Sequence, residues 1–299
     1  MGESVTGEEA GVPPGELQVL GPFRARRGDV DVPLPVGVLR TVLAALALAG
    51  RPVPRPRLLD LAWPEAAPHS GHKAVHVAVS RLRAWLRAEF PDTRIHREHD
   101  SYHLVTGPTT STDAARFEHL VADGLDPAAH PALRVDGLLA ALALWRGPVL
   151  DGHPVAAAFP TAVRWDLSRI SAACALADAA TAVGRPAAAV PTLATLAAER
   201  PTDEAVYASW ARLLVACGRQ AEALAALNTL RARLVDDLGI EPGPVLRTTF
   251  QQVLNTYPAQ PRDDTAVLRV LSDPRGGPPS GTYVALFGAR QARLGTPSV

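Results

Sequence analysis

Residues 69–87, HSGHKAVHVAVSRLRAWLR, constrain this chain more than any other stretch. On a helix, Val75, Val79, Leu82 and Leu86 fall at i, i+4, i+7 and i+11, one apolar stripe at helical period. His72, His76, Ser80, Arg83 and Arg87 fall on the opposite side, with Lys73 and Arg81 at the flanks. The segment holds four Lys/Arg, including the only lysine of the chain, and no acid. Such a helix can bury one face in a core and offer the other to phosphates and base edges. An ordinary amphipathic helix with a solvated face shows the same pattern, so the neighbouring segments decide.

Upstream, Leu17 and Val19 lead into Phe23 and Ala25, and Val30, Val32 and Leu34 follow an Arg27-Gly28-Asp29 turn. This alternation predicts a small antiparallel sheet. Val36 to Ala49 reads as a helix ended by Gly50. RPVPRP is then a rigid connector, with Pro56 in the first turn of a helix over RLLDLAW. PEAAPHSG is a loop, and Ser70 is the expected N-cap of the third helix. Two short strands, Arg94 to Arg97 and Tyr102 to Val105, flank a turn at Glu98-His99-Asp100-Ser101. The order β-β, α-α-α, β-hairpin is that of a winged helix with an added N-terminal sheet, the third helix as reader and the hairpin as wing.

Charge separates the two halves. The chain of 299 residues is neutral overall, yet residues 17–88 hold 11 basic and 4 acidic side chains while residues 113–258 hold 12 and 15. A basic module joined to a mildly acidic one is expected when only one of them meets nucleic acid. MGESVTGEEAGVPPG lacks the apolar core of a signal peptide, and LRTVLAALALAG is too short for a membrane helix. Cys174 and Cys217 match no metal or redox spacing and read as small buried thiols. The expectation is a cytoplasmic protein without membrane contact.

The second half is predicted to be helical over about 131–145, 161–183, 186–200, 203–217, 220–237 and 243–256. Gly184-Arg185 and Gly218-Arg219 recur 34 residues apart, as do Ala189 and Ala223, and Leu193 and Leu227. That is the period of the tetratricopeptide repeat, a helix–turn–helix unit that stacks on its neighbours. The fold class expected is mainly α with a small β part: a winged helix-turn-helix followed by an α-helical, tetratricopeptide-like repeat domain. The division expected is a disordered tail over 1–14, the winged helix over 15–107, the helical domain over 108–258 and a tail over 259–299.

LGPFRARRGDVDVPL, RLLDLAW, HVAVSRLRAWL and SYHL together resemble, in order and spacing, the DNA-binding domain of SARP-type transcriptional activators, which regulate antibiotic clusters in actinomycetes. That domain is similar to the OmpR-type winged helix of response regulators. Thr112-Asp113 with Arg116-Phe117-Glu118-His119-Leu120, Leu144-Trp145-Arg146-Gly147-Pro148 and Leu238-Gly239-Ile240-Glu241-Pro242-Gly243-Pro244 resemble the signatures of the family's second domain, the bacterial transcriptional activator domain. Two departures stand out. Val38-Leu39 precedes Arg40 where relatives often carry Lys-Gln, and the wing tip has Asp100-Ser101 where glycine is usual. Some relatives carry a forkhead-associated domain after residue 258; TAVLRVL and TYVALFG are two possible strands there, in a segment too short for that fold.

The resemblance implies a sequence-specific activator that binds double-stranded DNA at direct repeats near promoters, as a dimer, and recruits RNA polymerase. His76, Ser80 and Arg83 are expected at or near base edges; Lys73, Arg81 and Arg87 at phosphates; and Arg97 at the wing. Trp63 and Glu65 lie in the loop that in OmpR-type domains meets a sigma or alpha subunit of the polymerase. Two other readings compete. One is a repeat scaffold whose degenerate winged helix no longer binds DNA, to which the acidic Glu98 and Asp100 lend weight; the other is a regulator tuned by a small molecule. No catalytic triad, HExxH, CxxC set or phosphate loop is present, so neither an enzyme nor a cofactor or metal site is expected.

Overall fold

The computed structural model describes residues 14–65 and 70–256. Residues 1–13 of the tail expected over 1–14, the tail expected over 259–299, and His69 at the start of the predicted third helix lie outside the described residues. The chain begins with β1 (Gly15–Gln18), β2 (Arg24–Arg27) and β3 (Val30–Val32), an antiparallel meander. The helices α1 (Val38–Ala49), α2 (Arg55–Ala62) and α3 (Gly71–Glu89) follow, and then the hairpin of β5 (Arg94–Glu98) and β6 (Ser101–Val105).

Two strands were not legible in the sequence. β4 (Val53–Pro54) lies inside the proline-rich connector and pairs antiparallel with β6, giving a three-stranded sheet in the order β4-β6-β5. β7 (Thr110–Thr112) pairs parallel with β1, which makes the N-terminal sheet four-stranded and mixed. Both are too short to show a period. Proline is tolerated in β4 because that strand forms an edge.

α1 is the hub of the first part. Every residue from Val42 to Ala49 is buried, so the helix is apolar all round from Val42 on. It packs on α2, α3 and β6, and also on α6 (Pro160–Ala182) of the helical part. Gly50 takes the left-handed conformation that ends α1, as the sequence requires. Ser70 occupies the N-cap position of α3, but its side chain makes no capping bond.

The helical part comprises α4 (Asp113–Leu125), α5 (Pro131–Ala143), a short 3₁₀ turn (Pro154–Ala158), α6, α7 (Pro186–Glu199), α8 (Glu204–Ala216), α9 (Gln220–Leu238) and α10 (Pro244–Asn255). The 34-residue repeat is real at the level of individual hydrogen bonds. Gly184 and Gly218 stand at φ 71° and 74°. The N–H of Arg185 donates to Ala180 O and that of Arg219 to Leu214 O, each at 2.8 Å, closing the same left-handed helix stop twice. Ala189 and Ala223 are both fully buried, as are Leu193 and Leu227, where α7 and α9 pack on α8.

The family-like signatures prove to be joints. Thr112 caps α4 by accepting from Ala115 N–H. The carboxylate of Asp113 is fully buried and accepts from the backbone N–H groups of Val19 and Leu20, at 2.7 and 3.0 Å, and from Arg146 Nη2 at 2.7 Å. Burial pushes its carboxyl up, against those hydrogen bonds. Gly21 lies against Arg146, where a Cβ would meet that of the arginine at 2.8 Å. Arg146, Leu150 and Asp151 donate their backbone N–H groups to the carbonyls of Leu20, Val19 and Gly21. At the far end, Gly239 closes α9, and the N–H of Gly243 donates to both oxygens of Glu204 at 3.0 Å. The segments through Thr256 form one compact unit.

Candidate nucleic-acid interface

α3 is held by Val75, Ala78, Val79, Leu82 and Leu86, which are buried on the side facing α1, α2 and the hairpin. The predicted apolar stripe is therefore the buried one. The open face carries Lys73, Val77, Ser80, Arg81, Ala84 and Arg87, with His72 exposed at its start. Among the described residues no carboxylate lies within ion-pair distance of Lys73, Arg81 or Arg87. An uncompensated basic strip on a supported helix attracts a polyanion.

The structure distributes the sequence candidates unevenly. Ser80 lies in the middle of the open strip, between Lys73 and Arg87. His76 is half-buried, with Nδ1 2.9 Å from the hydroxyl of Tyr102 and its ring edge-on to that tyrosine. Arg83 is also half-buried, and donates from Nε at 3.0 Å and from Nη2 at 2.6 Å to the carbonyl of Ile95 in β5. Both were expected at or near base edges. The physical reason for the different placement is that the hairpin lies along their flank of α3 and engages Nδ1 of His76 and Nε and Nη2 of Arg83. Val77, half exposed at the centre of the strip, was missed. Its signal was its spacing, four residues from both Lys73 and Arg81, and an apolar side chain there can meet a thymine methyl.

The hairpin is tighter than the sequence indicated. Glu98 pairs with Ser101, leaving a two-residue turn of His99 and Asp100. Asp100 is not a free anion: it lies 2.6 Å from Arg55, whose backbone N–H also donates to the Asp100 carbonyl. This contact ties the wing tip to the start of α2 and removes much of the expected repulsion of phosphates. Arg97 is exposed on the hairpin, its Nε donating to His99 O at 3.2 Å. His99 has φ 51°, a left-handed conformation that costs a non-glycine residue about 1–2 kcal/mol. His99→Gly is expected to raise stability by about 0.5–1 kcal/mol in urea unfolding, the relief being offset in part by glycine's larger unfolded-state entropy. A lowered midpoint would mean that the imidazole itself holds the turn.

Trp63 is half-buried at the end of α2 and shares a concave surface with Val36, Leu39, Lys73, Val77 and Arg81; Glu65 is exposed beside it. Among the described residues no helix is long and apolar enough to cross a membrane, and no three His, Cys, Asp or Glu side chains group as metal ligands.

Residues 112–254 match the family described as the bacterial transcriptional activator domain. The chain is 31% identical over 250 residues to the transcriptional regulator RedD of Streptomyces coelicolor, covering 81% of this chain and 71% of that protein. The chain belongs to the SARP-type family of transcriptional regulators. It is also 33% identical over 254 residues to the transcriptional regulatory protein EmbR of Mycobacterium tuberculosis, and spans 64% of that relative's length. A solved structure of M. tuberculosis EmbR in complex with a low-affinity phosphopeptide superposes with a TM-score of 0.68 at 29% identity, covering 86% of this chain and 70% of that one. A winged helix followed by a helical repeat domain, expected from the sequence, is thus the architecture that this SARP-type chain has.

Proposed function

We propose that this SARP-type chain is a sequence-specific DNA-binding activator of a biosynthetic gene cluster. It places α3 in the major groove and the β5–β6 hairpin at the adjacent minor groove. The observation that carries this reading is the open strip of α3, with three cations, a serine and a valine and no acid, supported from behind by a buried stripe. Lys73, Arg81, Arg87 and Arg97 take phosphates, which fix position and make binding salt-dependent. Ser80 and Val77 face base edges. His76 and Arg83 act one step back, orienting the helix against the wing.

The chain binds direct repeats near promoters, two copies side by side, and recruits RNA polymerase through the surface around Trp63 and Glu65. The joint at Asp113 supports this reading, because it fixes the repeat domain to the DNA-binding part without a flexible linker. The scaffold alternative loses part of its support with Asp100 paired to Arg55.

Genomic fragments retained by the protein at about physiological salt test the proposal. The wild type is expected to enrich a few promoter-proximal sites that share a short direct repeat, and Ser80→Ala to blur that repeat. Lys73→Ala is expected to weaken all sequences alike and to lower the salt slope by about one. Retention of no fragment by the wild type would refute the proposal; a loss confined to particular sequences in Lys73→Ala would refute that residue's assignment.

A further inference from the structure

The open strip does not use every cation on this side of the molecule. Where the C-terminal half of α3 meets β5 lies a cavity of about 630 Å³, lined by Arg83, Arg87, Arg94 and His96. Arg94 and His96 had no role in the sequence reading. Arg87, Arg94 and His96 are exposed, while Arg83 forms the inner wall. The Ile95 carbonyl holds Arg83 through Nε and Nη2, which leaves Nη1 without a hydrogen bond among the described residues. No carboxylate lines the cavity. Of the acids nearest in sequence, Glu89 pairs with Arg27 and Asp92 accepts from Thr109 and Thr110, while Glu98, two residues beyond His96 on the same face of β5, lies outside the cavity lining.

Three arginines share this cavity, and among the described residues none of the three has a carboxylate partner. Like charges crowded in one concavity repel, and an anion seated between them reverses the sign of that energy. Guanidinium forks match the paired oxygens of a phosphate, and one fork here is already oriented by the backbone.

We infer that this notch between α3 and β5 is a phosphate-binding site. The inference rests on the DNA-binding reading for the source of the phosphate. With α3 in the major groove and the hairpin at the minor groove, the sugar-phosphate strand separating the two grooves passes between them, over the notch. A free phosphorylated small molecule presents the same group.

The test compares the wild type with Arg87→Ala/Arg94→Ala, Arg87→Lys/Arg94→Lys and, as a remote control, Arg231→Ala on α9. Binding to a random-sequence duplex of about 30 base pairs is followed against salt, long enough to report backbone contacts without base readout. The alanine pair is expected to lower the salt slope by about one to two, with the lysine pair and the control close to wild type. In a second arm, inorganic pyrophosphate is titrated without DNA while the arginine Nε–Hε signals are followed by NMR. No shift at millimolar pyrophosphate, with the reduced slope, identifies the DNA backbone as the source; saturable shifts of Arg87 and Arg94 identify a free phosphate ligand. An unchanged slope in the alanine pair with no pyrophosphate shift overturns the notch and leaves the DNA-binding proposal standing. If the wild type binds no duplex, that proposal falls, and the notch stands or falls on the pyrophosphate shifts alone.

Discussion

Asp113→Ala is expected to destabilise the protein by about 3–5 kcal/mol. The carboxylate is fully buried and serves three donors: Val19 N–H, Leu20 N–H and Arg146 Nη2. Alanine leaves two buried backbone donors without acceptors, each costing about 1–3 kcal/mol. It also strands a guanidinium that is three-quarters buried, with Nε already lacking a partner. Asp113→Asn keeps the shape and one acceptor oxygen but turns an amide donor toward another donor, so an intermediate loss is expected. Urea unfolding followed by circular dichroism measures both. A loss below about 1 kcal/mol for alanine would show that water replaces the carboxylate, which a fully buried position should not allow.

That joint also explains what could and could not be read from the sequence. Residue types gave the helices, because Leu, Val and Ala recur at helical period and glycine marks several of their ends, as at Gly50, Gly184, Gly218 and Gly239. The resemblance singled out Asp113 and the Leu144–Pro148 run, but nothing in one dimension says that Asp113 and Arg146, 33 residues apart, close on the carbonyl-rich turn after β1. Pairings of that kind are made by tertiary packing and leave no period. The same limit hid β4 and β7, which exist only because β6 and β1 offer them an edge.

On α3 the wheel found the buried side correctly and the open side only approximately. At about 100° per residue the side opposite the Val75–Leu86 stripe is that of Val77 and Ala84, with Lys73, Ser80 and Arg81 near it, whereas His76 and Arg83, expected on the open side, fall at its flank. The hairpin covers that flank, and Val77, Ser80, Arg81 and Ala84 stay open. An error of about one residue's turn, roughly 100°, separates a base-reading arginine from a positioning one.

Arg83→Ala is therefore expected to lower affinity for specific and random DNA by similar factors, about tenfold or more, and to destabilise the protein by about 1.5–3 kcal/mol. The stability loss follows from two charge-assisted hydrogen bonds to one carbonyl that is left without them. The affinity loss follows from the wing: with Ile95 released, β5 and the Arg97 that it carries are no longer fixed against α3, and binding must supply the order that the fold had supplied. Arg83→Lys separates charge from geometry, since an ammonium keeps the charge but cannot donate from two positions of a rigid fork. Lysine should retain most of the salt slope while recovering little of the stability. A base-reading arginine behaves in the opposite way: alanine would leave stability within about 0.5 kcal/mol, as surface changes do, and would relax preference at a single base pair while random DNA bound as before. Selection of binding sites from a random pool, run beside urea unfolding for the three proteins, tells the two apart, because only a clamp couples the wing's position to the stability of the whole fold.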